Sequence, residues 1–300
     1  MRDLWIDTDM GFDDLAAWCM LWDRVAGLSV VAGNVTLDQA VRNACAAREV
    51  FGWPVPIHAG AEGPLNGALV TADYVLGTDG MPGTGRKLPP ADGVADDNDA
   101  IGALLCWINA GGVDILALGP LTNIGRLVQA HPEVAGRIRV TWMGGAASGG
   151  NHTAATEFNA AIDPEALDVL LAAGVDLAMV GLDVCRQVTL TMADVAPLRA
   201  IATERGQLLA DLLEGYVAIA AGRPMALYDP VAAAVLIDAS VVEFRSARLD
   251  MELTGTHTRG MTVVEWRAHR AAPNARVAVR ADAERISGLF HDGLKRAAQA

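Results

Sequence analysis

The sequence predicts an α/β protein built on an open, mostly parallel sheet with helices on both faces. Two observations carry that expectation. Short apolar runs rich in β-branched residues alternate with longer helical segments from residue 4 to residue 182, the rhythm of strand–helix–strand units. The runs ending near residues 6, 33, 118 and 143 all stop at polar or glycine-containing turns. Ligands of open parallel sheets bind beyond the carboxyl ends of the strands, so the polar residues of those turns converge on one edge.

Taken in order, residues 4–6 read as a strand and 15–22 as a helix, with Asp13 and Asp14 at its start, where the helix dipole favours negative charge. Residues 28–33 read as the second strand. A helix follows to Val50, capped by Thr36 or Asp38, and 55–58 is a third strand whose Pro56 suggests an edge position. Residues 76–99 interrupt the rhythm with a Gly- and Pro-rich stretch. A long loop in a compact domain commonly covers or binds a ligand, and this one reads as a lid. Helix 98–110, strand 114–118, a helix to about 130 and strand 138–143 resume the pattern. Asp163 caps a helix with Pro164 in its first turn. Residues 175–182 read as a strand, 191–222 as mostly helical, 225–228 as a loop, and a helix starts at Asp229. Residues 247–253, 261–266 and 276–280 alternate like antiparallel strands, and 282–297 closes the chain as a helix. With no repeat and no linker, residues 1–300 read as one domain with a C-terminal antiparallel extension.

Composition excludes several classes. The net charge is −13 and no basic run is present, which argues against nucleic acid or an anionic membrane surface as partner. Although 52% of residues are apolar, no window approaches the roughly 18 uninterrupted apolar residues of a membrane span. Asp3, Asp7 and Asp9 stand where a signal peptide needs an apolar core, so a cytoplasmic protein is expected. Cys19, Cys45, Cys106 and Cys185 are scattered, form no CxxC pair and lie in apolar surroundings, as buried thiols of a reducing compartment do.

The chemistry concentrates in Asp7-Thr8-Asp9-Met10-Gly11-Phe12-Asp13-Asp14. Asp7 and Asp9 are two apart and point the same way on an extended backbone; Gly11 permits the tight turn that follows. Four carboxylates so close disfavour one another's ionisation. Either some protonate, or a hard cation such as Ca²⁺ or Mg²⁺ gathers them. A second polar cluster, Asn151 to Asn159, offers donors and acceptors suited to sugar hydroxyls, Asn151, Glu157 and Asn159 among them.

The opening stretch resembles the DxDxGxDD signature of the inosine–uridine-preferring nucleoside hydrolases. The resemblance extends through Ala32-Gly33-Asn34-Val35-Thr36 and Leu118-Gly119-Pro120-Leu121-Thr122-Asn123. It continues through Met143-Gly144-Gly145, Asn151, Glu157-Phe158-Asn159 and Asp163-Pro164-Glu165 to Asp229-Pro230, in the family's order. It implies a Rossmann-like sheet of nucleoside hydrolase type, a homodimer or homotetramer, and Ca²⁺-dependent hydrolysis of the N-glycosidic bond of ribonucleosides. Carried over by position, Asp9, Asp14, Asp229 and the backbone carbonyl of Leu118 would ligate Ca²⁺. Asp13, Asn34 and Asn159 would hold the ribose 2′- and 3′-hydroxyls, Asn151 and Glu157 the 5′-hydroxyl end, and Asp7 would support the cluster from behind. Asp9, beside both ion and water, would act as the base.

The chain departs from the pattern at two positions. Family members often carry a leaving-group histidine where this chain has Tyr228, and a second where it has Leu76. A positioned general acid contributes roughly 10²–10⁴-fold, and a phenol of pKa about 10 donates less readily than imidazolium. Tyr228 therefore takes the leaving-group position as a hydrogen-bond donor or stacking surface, and base preference stays open. His58, His131 and His152 have no motif support. Two other readings fit some of these residues: a ribose- or nucleoside-binding protein with little turnover, and a Mg²⁺-dependent haloacid-dehalogenase-like phosphatase built on the Asp-x-Asp.

Overall fold

The computed structural model describes residues 3–91 and 94–300. The first half comprises β1 (Leu4–Thr8), α1 (Phe12–Leu21), β2 (Val25–Val30), α2 (Leu37–Phe51), β3 (Ile57–Ala59), α3 (Asp73–Leu76), α4 (Ala100–Asn109), β4 (Asp114–Ala117), α5 (Thr122–Ala130) and β5 (Arg139–Met143). It continues with α6 (Phe158–Ile162), α7 (Pro164–Ala173), β6 (Asp176–Val180), α8 (Leu182–Cys185), β7 (Thr189–Leu190), α9 (Ala196–Arg199), α10 (Glu204–Ala218) and β8 (Met225–Ala226). The chain ends with α11 (Asp229–Ile237), β9 (Val242–Met251), β10 (Thr262–Glu265), β11 (Ala275–Ala281) and α12 (Ala283–Gln299).

Among the described residues nine strands form one sheet, in the order β10-β9-β11-β6-β5-β4-β1-β2-β3. From β3 to β11 every neighbouring pair is parallel; only β9 against β11 and β10 against β9 run antiparallel. The order reverses at β1, which lies between β4 and β2. That reversal opens a crevice beyond the carboxyl ends of β1 and β4, where doubly wound sheets bind ligands. Leu4, Ile6, Leu28 and Val30 face a core built with α1, α2, α10, α11 and α12. Trp5, Ile115, Val140 and Leu177 face a second core under α4, α5 and α7. Covering both faces of a parallel sheet in this way is what its near-continuous apolar strands require.

Several expectations need correction. The second strand begins at Val25 rather than residue 28, because Val25 pairs with Leu4 across a register shift. The sixth parallel run, expected over 175–182, stops at Val180, and Leu182–Cys185 turns into a short helix. Residues 225–228 are not wholly loop: Met225 and Ala226 pair antiparallel with Leu190 and Thr189. The C-terminal extension is not purely antiparallel, since β11 joins the main sheet parallel to β6. Cys106 is exposed on α4, unlike the other three cysteines.

The 76–99 segment, of which Asp92 and Gly93 lie outside the described residues, is tied down over much of its length. Met81 is buried. Asp211 on α10 accepts from the Arg86 backbone amide at 2.8 Å and from its guanidinium at 3.0 Å, and Arg199 also donates to it. The part that borders the crevice is its beginning and what precedes it: Ala72, Tyr74, Val75 and Leu76.

Candidate active site

Two helices aim their N-termini at the crevice. α1 contributes Asp13 and Asp14 in its first turn, and α11 contributes Asp229 at its first position. The two helices pack against each other. Carboxylate oxygens of Asp13, Asp14 and Asp229 consequently lie within 4.8 Å of one another, although the residues stand at opposite ends of the sequence. Both helix ends supply positive potential to acids placed there.

The turn between β1 and α1 sets the geometry. Met10 holds φ 41°, a left-handed conformation that non-glycine residues seldom adopt and that clusters at functional sites. The Thr8 hydroxyl donates to Asp14 at 2.6 Å and accepts from the Met10 amide at 3.0 Å; the Gly11 amide donates to the other Asp14 oxygen at 2.8 Å. Asp9 is buried and receives the Asn34 backbone amide at 2.7 Å and its carboxamide at 3.1 Å. Gly33 sits so close that a Cβ there would lie 2.2 Å from Asp9 Oδ2. Behind the cluster, Asp7 accepts from Asn123 at 2.8 Å and from the Ser29 hydroxyl, whose oxygen in turn accepts from the Trp5 indole at 2.9 Å.

Burial dominates the electrostatics. It pushes Asp9 and Asp229 well above the usual carboxylate range, aided by the neighbouring acids. It pushes Asp13 up to about 7, with the Asp14 charge adding to the effect, and Asp7 up to about 7 as well. Asp14 is raised by burial against hydrogen bonds from Thr8 and Gly11 that lower it. The acids bearing on Asp229 are Asp13, Asp14 and Asp9, and among the described residues no arginine, lysine or histidine is ion-paired with any of the four.

A cavity of about 530 Å³ opens over this floor. Its wall includes Asp13, Asn34, Leu118, Asn151, Glu157, Asn159, Tyr228 and Asp229, so the residues singled out in the sequence share one space, with Asp9 and Asp14 buried beside it. Asn159 donates to the carbonyls of Leu118 and Met143 at 2.8 and 2.9 Å. Glu157 caps α6: its carboxylate takes the amides of Gly145, Asn159 and Ala160 at 2.8–3.0 Å. Those amides lower its pKa, but burial outweighs them and raises it. Asn151 Oδ1 accepts from the Phe158 amide at 3.0 Å. Tyr228 is half-buried at the start of α11, and burial lifts its phenol to about 12. Leu76 reaches the same wall.

Some wall residues carried no usable signal in the sequence. Tyr216 looks like a core aromatic of α10; its hydroxyl donates to the Ala226 carbonyl at 3.0 Å. Arg186 and Arg223 read as surface arginines, yet both line the cavity. His152 lines it too, its ring edge-on to Phe158 and its Nδ1 buried without a partner among the described residues. Asn123 belongs to the Leu118–Asn123 segment, but only the fold shows that it grips Asp7. Asp163, by contrast, is structural: it caps α7 and ties Thr122 and Leu65 to it.

An acid-floored crevice at the switch point of a doubly wound sheet defines an enzyme that works on a small polar substrate. Residues 4–287 match the family described as inosine-uridine preferring nucleoside hydrolase, and the chain belongs to that family of N-ribosyl hydrolases. It is 35% identical over 277 residues to a pyrimidine-specific ribonucleoside hydrolase of Shewanella woodyi, covering 88% of each chain. It is 32% identical over 307 residues to the inosine-uridine preferring nucleoside hydrolase of Crithidia fasciculata, covering 97% of this chain and 96% of that one. The structure superposes on the purine-preferring ribonucleoside hydrolase of Gardnerella vaginalis with a TM-score of 0.91 at 28% identity, over 99% of both chains. These matches favour neither the phosphatase nor the binding-protein reading. No helix among the described residues is long and apolar enough to cross a membrane.

Proposed function

We propose that this protein hydrolyses the N-glycosidic bond of ribonucleosides with Ca²⁺ as cofactor, releasing ribose and the free base. The observation that carries the reading is the convergence of Asp13, Asp14 and Asp229 within 4.8 Å from two helix N-termini. Buried like charges of this kind either hold protons or gather a cation. The donors on offer are carboxylates, carboxamides and the Leu118 carbonyl, hard oxygens that suit Ca²⁺ and leave room for hydroxyls in its shell of six to eight. Asp9, Asp14, Asp229 and the Leu118 carbonyl are the ligands we assign, with Asp13 close enough to join them. The ion supplies positive charge that acidifies a neighbouring water and anchors the sugar.

The chain's own residues do the rest. Asp9, fixed by two hydrogen bonds from Asn34, takes the proton from the attacking water. Asp13, Asn34 and Asn159 hold the 2′- and 3′-hydroxyls, which selects against 2′-deoxy substrates. Asn151 and Glu157 receive the 5′-hydroxyl. The carboxylates around the sugar stabilise the positive charge that grows on it as the base leaves. Tyr228, too weak an acid at about 12, contributes a hydrogen bond or a stacking face to the base. Of the 76–99 stretch read as a lid, Leu76 borders the cavity, and the residues just before it reach the mouth, with Tyr74 70% exposed there. The assembly we infer is a homodimer or homotetramer in the cytoplasm, a reading supported by the family resemblance and checked by light scattering.

The test is a panel of ribonucleosides assayed for free ribose with and without chelator. Turnover restored by Ca²⁺ is expected for the wild type. Asp14→Asn and Asp229→Asn should lose both Ca²⁺ binding and turnover; full Ca²⁺-dependent activity in either variant refutes the assignment.

A further inference from the structure

The base half of the cavity lacks a leaving-group histidine at Leu76 and Tyr228, yet it is not without charge. The residues that line the cavity carry both signs of charge: the acids Asp13, Asp229 and Glu157, and the arginines Arg186 and Arg223. Heterolysis of an N-glycosidic bond creates the matching dipole: positive on the ribosyl group, negative on the base.

The two arginines are held differently. Arg186 donates from both terminal nitrogens to the Gly149 and Gly150 carbonyls at 3.2 and 2.7 Å, bracing the turn that leads into Asn151. Arg223 uses only Nε, on the Ala220 carbonyl at 3.3 Å; its terminal nitrogens have no hydrogen-bond partner among the described residues. The arm beneath it is rigid. Ala221 and Gly222 hold φ 50° and 85°, and the first of these is strained for a residue with a Cβ. Pro224 follows and restricts the Arg223 backbone. Met225 and Ala226 are then paired to β7, and the Tyr216 hydroxyl fastens the Ala226 carbonyl. An exposed arginine on the cavity lining, with free terminal donors and a strained, anchored turn beneath it, is placed to meet an acceptor.

We propose that Arg223 is the specificity-determining residue of the base half: its guanidinium fork takes two adjacent acceptors of the departing base, and the preferred substrates are 6-oxopurine ribosides. This rests on the N-ribosyl hydrolase reading above. A 6-oxopurine presents O6 and N7 side by side, the pair that arginine receives with two parallel bonds. Adenine places a donor beside N7, and uracil separates its two oxygens with an N–H. Cytosine also pairs two acceptors, N3 and O2, but on the edge beside its glycosidic nitrogen, so a wild-type preference for cytidine would overturn the proposal as one for uridine would. The C1′–N9 bond breaks with both electrons passing to the base, while the water oxygen bonds to C1′ and its proton passes to Asp9. The purine anion, neutralised by Arg223, collects its proton from solvent after release. Charge pairing thus stands in for the missing acid.

The experiment compares inosine, guanosine, adenosine, uridine, cytidine and 4-nitrophenyl β-D-ribofuranoside, whose leaving group needs neither proton nor guanidinium. Wild type should favour inosine and guanosine. Arg223→Gln should lower their kcat/KM by about 10²-fold, the usual cost of one preorganised donor, and lower that of the nitrophenyl riboside far less. Arg223→Lys should restore only part of the loss, because it returns charge without the fork. The alkaline limb of the wild-type inosine profile should show no loss of a protonated group that the nitrophenyl riboside does without. Equal losses on all substrates would reduce Arg223 to a structural role and overturn the proposal, as would no loss, or a wild-type preference for uridine. If the wild type leaves even the nitrophenyl riboside intact, the N-ribosyl hydrolase reading falls with it.

Discussion

Gly33 shows how little space the proposed base has been given. A methyl group there would press to 2.2 Å from Asp9 Oδ2 and 2.8 Å from Pro120 Cδ. Neither partner is a free chain end: Asp9 is held by Asn34 and Pro120 by its ring. Gly33→Ala should therefore displace Asp9 and lower kcat by about 10²-fold, the expected cost of a misplacement near 1 Å, with the circular dichroism spectrum of the wild type retained. Wild-type kcat in this variant would mean that Asp9 tolerates movement and is not the base. The acids themselves were legible in the sequence because four carboxylates in eight positions have few structural uses. Arg223, Tyr216 and His152 were not, since an arginine, a helical tyrosine and a lone histidine each have commoner roles, and nothing local marks the cavity they face.

At the scale of elements, the expected strands and helices were recovered where apolar periodicity and caps agreed. Of the expected caps, Asp163 does cap α7 through a side-chain hydrogen bond, whereas Thr36 stands at the start of α2 without one; Asp99 and Asp282, which the sequence reading did not single out, cap α4 and α12. The two-residue pairing of β7 with β8 and the direction of β11 were illegible, because each depends on a partner remote in sequence. The loop after α3 illustrates the same limit. Its composition marked it as irregular, but its fastening depends on Asp211, a residue of α10 that sequence reading had no reason to connect with it. Asp211 is 6% exposed, and Arg86 and Arg199 hold its carboxyl below the usual range against the opposing effect of burial. Asp211→Ala should cost roughly 1–3 kcal/mol, read as a lower Tm, and should speed amide exchange at residues 84–86. Unchanged exchange there would show that the loop is fastened elsewhere.

At the scale of the whole molecule, the fold was legible because helices on both faces force near-continuous apolar strands, and because the ligand edge follows from strand direction. What the sequence could not supply was distance: nothing local says that Asp229 meets Asp14. Burial of the acids around that meeting makes stability depend on pH. With Asp7 and Asp13 at about 7 in the folded chain against an ordinary 3.8, the metal-free native state holds protons that the unfolded chain has already released. Its stability must then fall as pH rises through that window. Ca²⁺ competes with those protons, so the rise in Tm on adding Ca²⁺ should grow from pH 5 to pH 7.5. Thermal melts in Ca²⁺ and in chelator across that range check it; a Ca²⁺ shift independent of pH would speak against the cluster as the binding site.

The side-by-side packing of α1 and α11 carries one more consequence. An ion gripped by acids from both helices closes a loop through most of the polypeptide, and so restricts the denatured ensemble as a disulfide would. This chain has four free thiols and would draw its cross-link from the cation supply instead of from redox poise. Depletion of the ion would silence turnover and expose the chain to proteolysis together, coupling the enzyme's lifetime to the same variable that sets its activity.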